Sequence, residues 1–208
     1  MSEQGNQIQS NNKVELRNRY LDQTEGKDIA VGLNSLLERY KDKRVLVLGV
    51  SCIGKSTLLQ HIPGIDMDII FDTMSAEFRQ KNLQGEPYEV EMDGKRIIKY
   101  RERHFVEGDP QSEELLRHTG EVIAEYASRN LPITPGVPVF GICLIEEVDV
   151  VIHLNPTSSA LDQRIESRNS KTNRRVHRER VYAMRKLVEE DVEKARQKGV
   201  TIEEFPIN

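Results

Sequence analysis

Eight residues, Gly49 to Ser56, have the types and the spacing needed to hold a polyphosphate. They read GVSCIGKS and fit the pattern G-x-x-x-x-G-K-[ST] at every fixed position. Gly49 and Gly54 allow a tight turn whose N–H groups point at phosphate oxygens. Lys55 supplies an ammonium group for the β- and γ-phosphates, and the Ser56 hydroxyl suits a Mg²⁺ ion. The sequence therefore predicts that this loop binds a nucleoside triphosphate.

The residues on either side of the loop support this prediction. Val45–Leu48 is an unbroken aliphatic run, as expected of a parallel strand that is buried on both faces. A helix that begins within the loop is expected to add the partial positive charge of its N-terminus. These flanks argue against a chance match to the bare pattern. The predicted nucleotide contacts in this segment are Gly49, Ser51, Cys52, Ile53, Gly54, Lys55, Ser56 and Thr57.

Two carboxylates follow at the end of the predicted second strand, which covers Ile65 to Ile70. Asp66 and Asp68 are one residue apart, so on a strand they point the same way. In an open parallel sheet, ligands bind at the carboxyl ends of the strands. One of these two carboxylates is therefore predicted to hold Mg²⁺ through water, and the other to accept the proton of an attacking hydroxyl. The alternative is that these acids simply solvate the turn.

A concentration of positive charge comes later in the chain. Arg164 and Arg168 are one helical turn apart and share a face. Arginines that close over a transferred phosphoryl group stabilise its charge and exclude water. The alternative is a solvated basic helix surface. The basic residues of this stretch are Arg164, Arg168, Lys171, Arg174, Arg175, His177, Arg178 and Arg180.

Composition narrows the classes of function. The chain has 208 residues, which suits one α/β domain, and its net charge of −4 gives no general reason to expect nucleic acid or an anionic membrane as a partner. No apolar run approaches the roughly 18 residues of a membrane span, and the polar start lacks a signal-peptide core. Cys52 and Cys143 are too few for a disulfide framework and lack metal-site spacing. A cytoplasmic protein is the expectation.

The region before the loop divides into two parts. Residues 1–27 are polar and predict a flexible tail. Residues 28–42 predict a helical extension of the domain, which as a whole is expected to span 28–208. The helix is predicted over Asp28–Tyr40, because large apolar side chains recur there at helical spacing: Ile29, Leu33, Leu36, Leu37 and Tyr40.

The middle of the chain predicts an insertion and one ambiguous strand. A helix is expected over Asp72–Lys81. Residues 86–105 predict a β-hairpin insertion near the acceptor site, because Tyr88–Met92 and Arg96–Tyr100 alternate around a turn at Asp93–Gly94. Two segments compete for the third strand of the main sheet, and the pattern leaves both open: Leu131–Thr134 and Val139–Cys143.

The remaining elements predict an α/β fold. Asp109–Pro110 has the acidic N-cap and first-turn proline that begin a helix. Strands alternating with helices imply a mostly parallel sheet between helical layers. After the clear strand at Val148–Leu154, the pattern predicts a helix over 159–168, a long helix over 176–198 and a final strand over 200–205.

Taken together, these segments resemble the compact phosphate-loop kinases of the adenylate kinase and shikimate kinase group. The resemblance rests on Gly49–Ser56, on DMD at Asp66–Asp68, and on VDVVIHL followed by LDQRIESR at Leu161–Arg168. It covers roughly Lys43 to Asn208. It implies a P-loop NTPase fold of three α/β/α layers, with a mostly parallel five-stranded sheet of order 2-3-1-4-5 and a lid at about 168–178.

The resemblance also implies roles for particular residues. Shikimate kinases carry a D-x-D after the second strand, which gives Asp66 to Mg²⁺ and Asp68 to the acceptor hydroxyl. Adenylate kinases carry an R-x-x-x-R before the lid that contacts adenine and phosphates, which corresponds to Arg164 and Arg168. Arg79 is similar to the acceptor-binding arginine of both families.

The chain departs from both families where the acceptor should bind. Adenylate kinases carry D-G-[FY]-P-R after the third strand, and the nearest equivalent here is Thr134–Pro138. The glycine triplet of shikimate kinases is absent as well. Gly136 is then the residue expected to bring a backbone N–H to the acceptor, and the acceptor itself stays unidentified.

The sequence therefore predicts an ATP-dependent phosphotransferase that moves the γ-phosphate of Mg-ATP to a small-molecule acceptor. Lys55 positions the donor, Asp68 is the base, and the transition state is stabilised by Arg164, Arg168, Arg174 and Arg175. One alternative is a nucleoside monophosphate kinase, whose acceptor needs no general base. Another is a nucleotide-dependent switch with slow hydrolysis. A kinase of polynucleotide ends is disfavoured by the acidic charge, and a GTPase by the absence of N-K-x-D.

Overall fold

The computed structural model describes residues 23–75, 78, 87–92, 95–100, 109–171 and 176–208. Several sequence predictions lie outside these residues: the tail up to residue 22, Arg79, the hairpin turn Asp93–Gly94, Arg174 and Arg175. The helices are α1 (Gln23–Arg39), α2 (Lys55–Leu58), α3 (Ile70–Thr73), α4 (Pro110–Asn130), α5 (Ser158–Lys171) and α6 (Arg178–Gln197). The strands are β1 (Val45–Leu48), β2 (Ile65–Asp66), β3 (Pro87–Met92), β4 (Lys95–Tyr100), β5 (Val139–Gly141), β6 (Val150–Pro156) and β7 (Thr201–Ile207).

Strand β1 lies at the centre of a five-stranded sheet with the order β2-β5-β1-β6-β7. All of its pairings are parallel, and Leu48 lies opposite Gly141 of β5 and His153 of β6. All four residues of β1 are buried, because neighbours cover both faces of the strand. The predicted α/β fold, with a parallel sheet of order 2-3-1-4-5, is confirmed.

The hairpin forms a second, separate sheet. Strands β3 and β4 pair antiparallel, and Met92 lies opposite Lys95 at the closed end. The alternation of side chains that predicted these two strands therefore corresponds to an observed pair, with its turn outside the described residues.

Helix α1 is part of the core rather than an appendage. Ala30 and Leu33 are buried, and the ring of Phe205 in β7 lies beside Gly32. The helix begins at Gln23 instead of Asp28, so the last residues of the predicted tail are helical. At its other end the Tyr40 hydroxyl donates to the carboxylate of Glu203 in β7. These contacts fix α1 along the sheet.

Helices α4 and α6 begin and pack largely as their sequences predict. Asp109 caps α4 by accepting from the N–H of Ser112 at 3.1 Å, and Pro110 occupies the first turn. The apolar stripe of α6 faces the core through Val181, Val188, Val192 and Ala195. An ion pair between Arg117 of α4 and Glu190 of α6 joins the two helices.

The ambiguity over the third strand is resolved in favour of the later segment. Val139–Gly141 forms β5, and both Val139 and Phe140 are fully buried. The competing segment is not a strand, since Leu131 ends α4 and its N–H donates to the carbonyl of Ala127 at 2.8 Å.

The second strand is shorter than predicted. It ends at Asp66, and the chain then turns through a 3₁₀-helix, Met67–Ile69, into α3. Asp66 causes this turn locally, because its side chain accepts from the N–H of Asp68 at 3.0 Å and caps the 3₁₀-helix. The prediction of a strand that continues to Ile70 is wrong, and so is the alternating geometry it gave to Asp66 and Asp68.

Candidate functional site

The candidate site lies at the carboxyl edge of the parallel sheet, where β1, β2 and β5 end. The loop 49–54 leaves β1 there and leads into α2, while Asp66 and Asp68 follow from β2. The N–H of Gly49 donates to the carbonyl of Gly141 at 3.1 Å, so the start of the loop is held by the end of β5. This is the edge where open parallel sheets bind ligands.

The loop has a conformation that gathers backbone N–H groups. Cys52 and Gly54 both have left-handed backbone, with φ of 70° and 96°. Left-handed residues next to right-handed ones make concave nests of N–H groups that bind anions. At its start, Gly49 fits because a Cβ there would lie 3.1 Å from Cβ of Leu154. Of the two glycines predicted to form the turn, Gly54 has left-handed backbone, and the other left-handed residue of the loop is Cys52.

The helix after the loop is much shorter than expected. Helix α2 covers only Lys55 to Leu58, and the N–H groups of Thr57 and Leu58 both bond to the carbonyl of Gly54. A helix dipole grows with the number of aligned peptide units, so four residues contribute little. Any attraction for phosphate at this site must come mainly from the N–H groups of the loop and from cationic side chains.

The side chain of Lys55 folds back onto the loop that precedes it. Its Nζ donates to the carbonyl oxygens of Gly49 at 2.5 Å and Val50 at 2.9 Å. Desolvation lowers the pKa of Lys55 to about 8, although the nearby carboxylates of Asp68 and Asp66 act in the opposite direction. The ammonium is therefore still mainly charged at neutral pH.

Asp66 and Asp68 occupy different positions relative to the 3₁₀-helix that follows β2. Asp66 uses one carboxylate oxygen to cap the 3₁₀-helix, and Asp68 lies within that helix. The negative charge of both carboxylates raises the pKa of Lys55, that of Asp68 more than that of Asp66, and so acts against desolvation. Ser56, the other candidate Mg²⁺ ligand, is half-buried in the first turn of α2.

The donor set suits a magnesium ion better than a protein-only metal centre. Among the described residues, no group of three or more His, Cys, Asp or Glu side chains could enclose a metal. Mg²⁺ usually takes one or two protein carboxylates and completes its shell with phosphate oxygens and water. The hydroxyl of Ser56 and the carboxylate of Asp66 fit that requirement.

Two arginines of α5 reach the loop from the side. Arg164 is buried and donates from Nη1 to the carbonyl of Ile53 at 2.7 Å. Arg168, one turn later, donates from Nη1 to Sγ of Cys52 at 3.3 Å. The predicted shared face of these residues therefore points at the loop 49–54. Arg164 holds the backbone of the loop, whereas Arg168 lies over its side.

Gly136 lies elsewhere. It has a left-handed φ of 81°, its N–H donates to the carbonyl of Lys43 at 3.4 Å, and a Cβ would be 3.1 Å from the carbonyl of Lys41. Lys41 and Lys43 precede β1, so Gly136 lies at the amino edge of the sheet, opposite the loop. Its N–H is therefore directed away from the carboxyl edge, because the sheet strand is Val139–Gly141, which follows Gly136, and not the competing segment Leu131–Thr134.

Two contacts near the site, made by Cys143 and Asn169, escaped the sequence reasoning. Cys143 is buried after β5 with its Sγ 3.5 Å from Sδ of Met67, and burial raises the pKa of its thiol well above the ordinary range. Asn169 closes onto the backbone of Val176 with both ends of its amide. Sequence spacing carries no signal for either contact, because both join positions that no motif connects.

The comparisons with known proteins leave the family open. A scan against protein-family models and a search of curated proteins each found no match. In the part of the chain that the structure describes, no helix combines the length and the apolar character needed to cross a membrane.

Proposed function

We propose that the protein is an ATP-dependent phosphotransferase that acts on a small-molecule acceptor. The observation that carries the proposal is the convergence of three positive features on one loop: the left-handed backbone of Cys52 and Gly54, the ammonium of Lys55, and the guanidinium of Arg168. A polyphosphate is the ligand that such an arrangement favours.

In this proposal the loop and Lys55 bind the β- and γ-phosphates. To do so, Lys55 exchanges the carbonyl oxygens of Gly49 and Val50 for phosphate oxygens. Arg168 supplies positive charge where negative charge develops on the transferred group. Arg164 keeps the loop in place through Ile53. The proposed roles of Arg79, Arg174 and Arg175 concern residues outside the described part of the chain.

Mg²⁺ belongs to the same proposal. Ser56 and Asp66 would hold the ion, and Mg²⁺ bound there would neutralise charge on the phosphates. Asp68 accepts the proton of the acceptor hydroxyl as the hydroxyl oxygen attacks the γ-phosphorus, and the bond from that phosphorus to the β–γ bridging oxygen breaks to release ADP. A nucleoside monophosphate would instead attack through a phosphate oxygen and would need no such base.

The experiment is ADP release from Mg-ATP across a panel of acceptors. The panel holds nucleoside monophosphates, nucleosides, shikimate-like polyols, sugar acids and 5′-hydroxyl oligonucleotides. Acceptor-dependent release that is lost in Lys55→Ala and kept in Lys198→Ala, an exposed lysine at the end of α6, supports the proposal. Release that no acceptor stimulates contradicts it. With the acceptor known, near-normal turnover of Asp68→Asn would exclude the base role.

One contact favours a second candidate, a nucleotide-dependent switch. Helix α1 lies directly against α2, where a Cβ on Gly26 would be 3.0 Å from Cγ2 of Thr57. Thr57 follows the candidate Mg²⁺ ligand Ser56, so a change in the loop would reach α1 through this contact. Tight ATP binding that alters the hydrogen exchange of α1, with no acceptor-stimulated turnover, would favour the switch.

A further inference from the structure

The last turn of α5 is tied to the start of α6 by one side chain. Asn169 donates from Nδ2 to the carbonyl of Val176 at 3.0 Å, and its Oδ1 accepts from the N–H of Val176 at 2.7 Å. Both halves of the amide are thus paired with one backbone residue, as in a strand pair. The contact joins the last turn of α5 to the segment that leads into α6.

A second contact joins the same two helices through Asp162, which precedes Arg164 in α5. Arg178, the first residue of α6, makes a bidentate contact with Asp162 of α5, at 2.7 and 2.8 Å. The Tyr182 hydroxyl donates to the same carboxylate at 3.1 Å. This ion pair lies at an exposed arginine, where solvent weakens it. Asn169 is next to Arg168 in the chain and lies in the same last turn of α5.

The residue before Asn169 is Arg168, which lies over Cys52 of the loop. Helix ends lack partners for their last carbonyl groups and open more readily than helix centres. Arg168 is in the last turn of α5, which ends at Lys171. Without an anchor, local opening of this turn would withdraw the guanidinium from the loop, and the paired amide of Asn169 opposes that opening.

We propose that Asn169 is a positioning residue that holds Arg168 against the nucleotide loop. It touches neither the loop nor a substrate, and it acts through the geometry of the last turn of α5. Its effect on catalysis rests on the proposed phosphotransferase function. Its effect on the position of Arg168 does not, because that position can be measured at Cys52.

The test compares Asn169→Ala with Arg168→Ala in the full-length protein. Alkylation of Cys52 by iodoacetamide is followed by mass spectrometry of the peptide that contains it, which separates it from buried Cys143. The rate is measured at about pH 10, where ordinary thiols are largely ionised whether or not a cation is nearby, so that access of the reagent limits it. Removing the guanidinium that covers Sγ should then speed alkylation about fivefold in Arg168→Ala. Asn169→Ala should show at least half of that increase.

Asn130→Ala is the matched control. Asn130 is the last residue of α4, and its Nδ2 donates to the carbonyl of Tyr126 at 2.8 Å. It should lose comparable stability in urea while the alkylation rate stays at the wild-type value. Asn169→Asp, which keeps the acceptor for Val176 and loses the donor, should fall between wild type and Asn169→Ala.

Two results would overturn the inference. One is wild-type alkylation of Asn169→Ala alongside fast alkylation of Arg168→Ala, and the other is no change in Arg168→Ala. If the protein is a phosphotransferase, kcat should fall about tenfold in Asn169→Ala with a smaller change in the KM for ATP, because the guanidinium acts mainly on the transition state. If no acceptor stimulates ADP release by the wild type, the proposed phosphotransferase function fails, and the alkylation result still decides the positioning role.

Discussion

Arg164 and Ile53 are 111 positions apart in the chain, and they form a buried hydrogen bond that joins α5 to the loop 49–54. The guanidinium Nη1 lies 2.7 Å from the carbonyl oxygen of Ile53, and Arg164 is only 7% exposed. A long cationic side chain is rarely buried to this degree without partners. The loop therefore depends on a residue that comes long after it in the sequence.

Replacing Arg164 should destabilise the fold as well as the site. Arg164→Met keeps much of the volume but leaves the carbonyl of Ile53 without this donor, so we expect a loss of about 2 kcal/mol in the free energy of unfolding. Urea unfolding followed by circular dichroism measures this. Arg180→Met, at an exposed position of α6, should change stability little. Equal midpoints for both variants would show that the bond contributes nothing.

Lys55 should make stability depend on pH in the alkaline range. Burial lowers the pKa of Lys55 to about 8, whereas an unfolded lysine titrates near 10.4. Between these values the unfolded chain binds more protons than the folded one, so stability should rise with pH. We expect wild type to gain about 2 kcal/mol relative to Lys55→Met from pH 7 to 10.5, allowing for solvent around the half-buried side chain.

The quantity to measure is the difference in the free energy of unfolding between wild type and Lys55→Met, by urea unfolding at several pH values. The pKa of Tyr40 is raised by its bond to Glu203, so this group acts in the opposite direction at high pH. Tyr40 is present in both proteins, and its effect cancels in the difference. A constant difference from pH 7 to 10.5 would mean that the ammonium of Lys55 is not desolvated.

Two glycines should respond to alanine with opposite signs. Gly64 precedes β2, and a Cβ there would lie 2.8 Å from both the carbonyl oxygen of Pro138 and the ring of Phe140. Gly120 is inside α4 with nothing within 4 Å of its Cβ position. We expect Gly64→Ala to lose about 2 kcal/mol and Gly120→Ala to gain up to about 1 kcal/mol. Thermal unfolding of the two variants side by side checks both signs.

The sequence predicts those parts of the molecule that depend on neighbouring residues. The aliphatic run of β1, the cap at Asp109 and the helical spacing of Arg164 and Arg168 all have local causes, and the structure contains each of them. The sheet order also follows, because the resemblance to phosphate-loop kinases implied it and the alternation of strands with helices fits it.

The failures have a different physical origin. The second strand ends early because the side chain of Asp66 competes with strand pairing for the N–H of Asp68. Gly136 lies at the amino edge of the sheet instead of the carboxyl edge, because β5 starts only at Val139. The strand forms there because Val139 and Phe140 are buried in the sheet. The bond of Arg164 to Ile53 and the closure of Asn169 on Val176 depend on tertiary packing, which residue spacing does not encode.

Variants of Asp66 can separate its two proposed roles, which are to cap the 3₁₀-helix and to bind Mg²⁺. Asp66→Asn keeps a side-chain oxygen that can accept from the N–H of Asp68, so stability should stay near that of wild type. Asp66→Ala loses the cap and should cost about 1 kcal/mol. The proposed Mg²⁺ ligation needs the charge, so both variants should weaken Mg-ATP binding at least about tenfold.

Titration of an ATP analogue with and without EDTA distinguishes these tasks. In wild type, chelation of Mg²⁺ should weaken binding, since the ion links Ser56 and Asp66 to the phosphates in the proposed site. In Asp66→Asn, chelation should have little further effect, because the carboxylate that depends on the ion is already gone. Asp42→Asn, at an exposed position before β1, should behave as wild type. If Asp66→Asn retained the full effect of EDTA, Asp66 would be a cap alone, and Asp68 would be the carboxylate to test next.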